Sequence, residues 1–230
     1  MNQIETNQRL NEILFQLGAL RDHLQLVEKQ IAHKKIIEKR RLDKLIRNRG
    51  LSIEDSEVRD ASDYYNFMIE FHLPLFLRNT FLVSLYAVYE STVTDVADMM
   101  KERQSQSLSM SDLRGNLLEK ALKYYNHILK FDLYVNEIDW NRIKMLLELR
   151  NAVAHSNSRI DMIKDNKKNK ISAWESQKIG LSFRNGYIII EEQLAESLFA
   201  SVRSTLINLR VRYQKWKGPN LVEGIYPQYF

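Results

Sequence analysis

The chain has 230 residues, of which 44% are apolar and 10% aromatic, and its formal net charge is +5. This composition is sufficient for one globular domain with an appendage, or for two small domains. The absence of cysteine excludes disulfide bonds, thiolate zinc sites and cysteine nucleophiles, and it fits the reducing cytoplasm, where we expect the protein to reside.

The N-terminal residues lack the basic and apolar regions of a signal peptide. The most apolar segment, residues 71–89, is interrupted by charged and polar side chains and is expected to fall short of a membrane span. We therefore expect a soluble protein without membrane partners. Its seven glycines and three prolines favour long helices over a many-stranded sheet.

Residues 1–48 are predicted to form one long amphipathic helix. Its apolar side chains recur at alternating steps of three and four, a spacing typical of a packed helix seam; they are Leu10, Ile13, Leu17, Leu20, Leu24, Val27 and Ile31. The seam requires a partner in its own bundle or in a second subunit. It ends where a basic run begins, and Lys39, Arg40 and Arg41 of that run are either candidate phosphate contacts or a solvated face.

The central part of the chain is predicted to be helical in several pieces. Residues 52–60 are expected to form a linker, and the helix that follows should end at Pro74, whose ring removes a backbone donor. Residues 75–103 form a helix that is apolar on most sides and belongs in the centre of a bundle. Two capping patterns, Ser109-x-x-Asp112 and Asn136-x-x-Asp139, predict the starts of the next two helices. The buried stripe of the second should comprise Ile138, Ile143, Leu146, Leu147 and Val153.

The C-terminal part contains the only β signal. Residues 178–190 predict a hairpin around an Asn185-Gly186 turn, and a final helix should span residues 191–216. The sequence thus predicts an all-α, up-and-down helical bundle at residues 61–217, with a small β-hairpin before the last helix. The long helix at residues 1–48 packs on or extends this bundle, and residues 218–230 form a tail.

The string Leu149-Arg150-Asn151-Ala152-Val153-Ala154-His155 brings a permanent cation, an amide and a group that titrates near neutral pH to the end of a buried helix. Asn151 and His155 lie one turn apart on the same face, whereas Arg150 is rotated about 140° from His155. The pair converges only if the helix end unwinds or if a second copy of the chain completes the site.

These residue types predict the cleavage of RNA. His155 can take a proton from a ribose 2′-OH or give one to the leaving oxygen, Arg150 can hold the phosphate oxygens, and Asn151 can orient the imidazole. A basic loop that should bind the RNA backbone follows, with Arg159, Lys164, Lys167, Lys168 and Lys170. In the alternative interpretation, His155 caps the helix and Arg150 forms an ion pair with Glu148 or Asp161.

The same string resembles the signature of HEPN domains (higher eukaryotes and prokaryotes nucleotide-binding), in which an Arg and a His are separated by four to six residues. The resemblance covers roughly residues 61–216, including the helix with Tyr86-Ala-Val-Tyr-Glu90. It implies a homodimer or higher oligomer with metal-independent endoribonuclease activity and no cofactor, in toxin–antitoxin or antiphage defence, where an antitoxin is a possible partner.

Carried over to this chain, the resemblance makes Arg150 and His155 catalytic and Asn151 a supporting polar residue. Glu90, an acid inside an apolar helix, is a further candidate that could meet Arg150; the alternative is that it faces solvent. Members that pair with a nucleotidyltransferase often have a Tyr two residues after the His, where this chain has Asn157. A catalytically inactive HEPN-like module that binds RNA or protein, and a helical adaptor, are the competing hypotheses.

Overall fold

The computed structural model describes residues 3–49, 52, 55–134 and 136–216. These residues are predominantly helical, and the two short strands among them form one antiparallel hairpin directly before the last helix. The predicted all-α fold with a small β-hairpin is therefore confirmed. The predicted tail at residues 218–230 lies outside the described residues.

The described part of the chain contains seven α-helices and two strands. The helices are α1 (Gln3–Arg49), α2 (Ser56–Tyr64), α3 (Leu73–Gln104), α4 (Leu117–Lys123), α5 (Glu137–Ser156), α6 (Asp165–Glu175) and α7 (Glu192–Trp216), and the strands are β1 (Leu181–Arg184) and β2 (Tyr187–Ile190). Two π-helical segments, Tyr65–His72 and Tyr124–Ile128, and two 3₁₀ turns, Met110–Asp112 and Ile160–Met162, join them.

The chain divides into two compact units. Among the described residues, one unit is drawn from the ranges 3–17, 87–142 and 201–216, and the other from the ranges 18–86 and 143–200. This division differs from the predicted boundaries at residues 1–48 and 61–217, because α1, α3, α5 and α7 each contribute residues to both units.

The seam of α1 is buried as the spacing predicts. All seven of its apolar side chains, from Leu10 to Ile31, are between 1% and 6% exposed within the single chain. The chain itself therefore supplies the partner that this face of α1 requires. The polar stretch that follows α1 was predicted to be a linker up to residue 60, but α2 already begins at Ser56, where Val58 is buried and anchors the helix.

Pro74 does not end a helix, and the prediction that it does was wrong. The segment from Ser56 to Gln104 is one continuous helix, and Pro74 is the second residue of α3. The turn before it is π-helical, so the Leu73 N–H donates to the carbonyl of Met68, five residues back. This wider turn changes the hydrogen-bonding pattern just where an α-helix would lose a donor and meet the proline ring.

Helix α3 carries much of the buried apolar surface, as predicted. Its fully buried side chains include Phe81, Leu82, Leu85 and Tyr89. The continuous segment 56–104 is long and apolar enough to span a membrane, whereas its most apolar part was expected to fall short of a span. Of the most apolar stretch of 18 residues in this segment, 44% is buried inside the protein. A core helix of a globular protein has the same properties.

Two details of the following helices differ from prediction. The Ser109–Asp112 capping box closes only the 3₁₀ turn Met110–Asp112, and α4 begins behind a second box formed by Asn116 and Glu119. Asn136 does cap α5, since its Oδ1 accepts from the Asp139 N–H at 2.7 Å. In the stripe of α5, Ile143 and Leu146 are buried, but Ile138 is 67% exposed because it lies in the first turn, beyond the packed region.

Candidate functional site

The C-terminal half of α5 forms one wall of a cleft of about 290 Å³. The 3₁₀ turn Ile160–Met162 and the beginning of α6 form the other walls. Glu148, Asn151 and His155 all line the cleft because steps of three and four residues place side chains on one helix face. Lys164 and Lys167 line it from the opposite side, and Met162, Ile163 and Ile171 add an apolar floor.

The end of α5 fixes the position of His155. The helix stays regular through Ser156, and the next two residues, Asn157 and Ser158, adopt positive φ angles of 46° and 62° that turn the chain away. Their N–H groups donate to the carbonyls of Val153 and Ala152, at 3.0 and 3.1 Å. His155 is exposed in this last turn, the position that the capping interpretation also expected.

The segment that follows is anchored by a polar contact that sequence reasoning missed. Ser158 is fully buried, and its Oγ accepts a hydrogen bond from Nδ2 of Asn79 on α3 at 3.0 Å. The Ser158 carbonyl also accepts from the N–H of Ile188 on β2, and the N–H of Ile160 donates to Gly186, both at 2.9 Å. The only signal for Asn79 in the sequence is an amide within an apolar helix, where a buried polar group needs a partner.

Removing this anchor should loosen the end of α5. We expect Asn79→Ala to lower the free energy of unfolding by about 1–3 kcal/mol, because it leaves the buried Ser158 hydroxyl without its partner. Amide hydrogen exchange should rise first at residues 158–160. Thr80→Ala, at an exposed neighbouring position, is the control. Unchanged stability and exchange in Asn79→Ala would show that Asn79 does not hold this segment.

Arg150 does not line the cleft that contains His155. Its Nη1 donates to Oδ1 of Asn151 at 3.1 Å, and its guanidinium lies 5.3 Å from the centre of the Tyr86 ring. Its Nε is buried without a hydrogen-bond partner in the described part of the chain. On the sequence alone, unwinding of the helix end could bring Arg150 and His155 together within one chain. This does not occur, because α5 remains helical through Ser156.

The ion pairs that the alternative interpretation assigned to Arg150 are formed by other residues. Glu148 lies 3.0 Å from Lys170 and 3.6 Å from Lys167, and Asp161 lies 2.6 Å from Arg159. Glu90 is partly exposed on α3 and belongs to the other compact unit. The contacts described for Arg150 are with Asn151 and Tyr86. The expected contact between Glu90 and Arg150 therefore stays a prediction.

The basic segment after the motif was predicted to be a loop, and this is wrong for most of it. Residues 165–175 form α6, because they contain no Gly or Pro and because Ile171 anchors the helix in the core at 2% exposure. All four lysines of the basic segment are exposed, and Lys167 and Lys170 form ion pairs with Glu148 of α5. Hydrogen bonds from Arg159 lower the pKa of the Asp161 carboxyl, so the charge of Arg159 is compensated nearby.

The N-terminal basic run lies on α1 in the same compact unit as the cleft. Lys39, Arg40 and Arg41 are all exposed. Arg41 is 3.8 Å from Glu38, a largely buried carboxylate that also binds Lys34 at 2.8 Å. The ion pairs described for the run join residues within α1, and none of them involves a residue that lines the cleft.

Comparison of the chain with protein-family models, with curated proteins and with solved structures found no match.

Proposed function

We propose that the protein is a metal-independent endoribonuclease, acting as a toxin or antiphage effector of the HEPN type. One observation carries the proposal: His155 and Asn151, two residues of the string that resembles the HEPN signature, share a cleft with lysines at the end of α5. An exposed imidazole beside an amide and cations is suited to a phosphodiester, which is anionic and requires proton transfer to be cleaved.

The reaction uses the nucleophile that RNA itself carries. The 2′-oxygen attacks the adjacent phosphorus, the bond from phosphorus to the 5′-oxygen breaks, and the products end in a 2′,3′-cyclic phosphate and a 5′-OH. The proton leaves the 2′-OH, and the departing 5′-oxygen gains one. His155 carries out one of these transfers, and solvent the other. Asn151, on the same face, orients the imidazole or the phosphate.

Arg150 takes part only from a second copy of the chain. Its guanidinium offers a planar fork to the phosphate oxygens as their charge increases in the transition state. Within one chain it is directed toward Tyr86, about 140° around α5 from His155. In a two-fold dimer, Arg150 of one subunit can instead face His155 of the other. The proposed enzyme is therefore an obligate homodimer with two composite sites.

The proposal is tested with purified protein and RNA in the presence of EDTA. We expect cleavage that persists in EDTA and yields 2′,3′-cyclic phosphate and 5′-OH ends. An oligonucleotide of the same sequence made of deoxyribose should remain intact because it lacks the nucleophile. Intact RNA under all conditions, or equal cleavage of the deoxyribose strand, would contradict the proposed chemistry.

The separation of Arg150 from His155 also favours a second candidate, an inactive HEPN-like module that binds RNA or a protein. In that case the exposed run at Lys39, Arg40 and Arg41 is the main contact. Reversing these three charges should abolish RNA binding, whereas Arg150→Ala should leave the affinity unchanged. Measuring both variants at two salt concentrations separates phosphate binding from other contacts, since only phosphate binding depends strongly on salt.

A further inference from the structure

The solvent face of α1 carries a regular row of apolar side chains. Five large apolar side chains of this helix are exposed, and four of them recur every eleven residues: Ile4 at 70%, Phe15 at 71%, Leu26 at 58% and Ile37 at 42%. Exposed apolar side chains on a soluble protein are usually scattered singly. A row with a fixed period along one helix is the pattern of a helix that packs against another.

The period places the row on one line. On an α-helix, two residues that are eleven positions apart are separated by three full turns plus about 20° of rotation, and by about 16.5 Å along the axis. The row therefore runs almost straight along α1 for roughly 50 Å. It lies about 160° around the helix from the buried seam, so it is on the face that the chain leaves uncovered. Helices with an eleven-residue repeat pair with a slight right-handed twist.

We infer that this row, termed here the α1 stripe (Ile4, Phe15, Leu26 and Ile37), is an interface with a second copy of the chain in antiparallel orientation. The spacing makes the stripe complementary to itself. A two-fold axis near residues 20 and 21 brings Ile4 beside Ile37 of the second copy and Phe15 beside Leu26. Such an isologous contact uses the same patch twice. The inference does not rest on the proposed ribonuclease activity.

The charges of α1 determine the orientation. Residues 4–20 contain two carboxylates and one arginine, whereas residues 21–37 contain four cations and two carboxylates. The basic run with Lys39, Arg40 and Arg41 follows directly. A parallel pair would place this run beside its own copy, and like charges in proximity repel. An antiparallel pair about residues 20 and 21 places Glu12 opposite Lys29, and Glu5 near Lys34 and Lys35, so the carboxylates of residues 4–20 meet the cations of residues 21–37 of the other copy.

The oligomeric state of the full chain tests the inference. Light scattering after gel filtration should give twice the chain mass of 27.3 kDa for the wild type. Leu26→Lys should give the monomer mass, because it places a charge in the centre of the interface. Gln25→Lys is the matched control, since Gln25 is exposed next to Leu26 but lies off the stripe. Circular dichroism should show that both variants remain folded.

Cysteine cross-linking tests the orientation, and the absence of native cysteine makes it straightforward. Gln8 and His33 are exposed along the stripe and face each other across an antiparallel pair. Oxidation should therefore cross-link a Gln8→Cys chain to a His33→Cys chain. Neither variant should cross-link to itself, since like positions are roughly 37 Å apart.

Three results would overturn the inference: a monomeric wild type, a Leu26→Lys protein that remains dimeric, or a Gln8→Cys protein that cross-links to itself. A monomeric wild type would also contradict the composite site proposed for Arg150 and His155, whereas the other two results concern the stripe alone. The ribonuclease assay in EDTA reports on His155 and not on the stripe. The interface and the activity can therefore fail separately.

Discussion

Replacing His155 with alanine is expected to lower the rate of RNA cleavage about 10²–10⁴-fold, the usual contribution of a side chain that transfers a proton in the transition state. The fold should not change, because His155 is exposed and none of the described hydrogen bonds uses its ring. The measurement is single-turnover cleavage of RNA with the protein in excess, which separates the chemical step from binding.

His127 provides the matched control for this variant. It is also exposed, but it lies in the π-helical segment Tyr124–Ile128 of the other compact unit. We expect His127→Ala to cleave at the wild-type rate. The affinity for RNA should be nearly the same in all three proteins, since the lysines of the cleft are intact. Equal cleavage by wild type and His155→Ala would exclude His155 from the reaction.

The composite site predicts that two inactive proteins regain activity when they form a mixed dimer. Arg150→Ala and His155→Ala each damage both sites of their own homodimers. A dimer of one Arg150→Ala chain and one His155→Ala chain has one intact site and one that lacks both groups. Such dimers, co-expressed with different tags and purified by both, should show about half of the wild-type activity.

The reciprocal dimer distinguishes the composite site from a site within one chain. It contains one wild-type chain and one chain with both substitutions. If each site uses Arg150 of one subunit and His155 of the other, both of its sites are damaged and the dimer should be inactive. If one chain supplied both groups, this dimer would retain half of the activity and the Arg150→Ala/His155→Ala dimer would have none. The two preparations therefore give opposite results for the two models.

Local patterns predicted much of the fold because each depends on neighbours in sequence. The seam of α1 follows from steps of three and four, which place side chains on one helix face. The Asn185-Gly186 turn is formed as predicted, with positive φ angles at both residues that Asn and Gly tolerate well. The position of His155 at the end of α5 follows in the same way from the capped start of the helix and its apolar stripe.

The structure differs from the sequence predictions at features that no local sequence pattern specifies. The passage through Pro74 depends on a π-helical turn, and no residue type specifies such a turn. The burial of Ile171, which holds α6 in place, and the bond from Asn79 to Ser158 join residues far apart in the sequence. The division of the motif, with His155 in the cleft and Arg150 on Tyr86, agrees with the angle predicted for an ideal helix. Which group Arg150 contacts required the positions of the other helices.

The position of Glu148 affects which anions the cleft can accept. This carboxylate already binds Lys167 and Lys170, so it competes internally with any phosphate that approaches them. A single phosphate group would gain little by displacing it. A polymer offers many phosphates at once and releases bound counterions along its length. We therefore expect mononucleotides and inorganic phosphate to bind poorly. The cleft should distinguish long RNA from short RNA, independently of its base sequence.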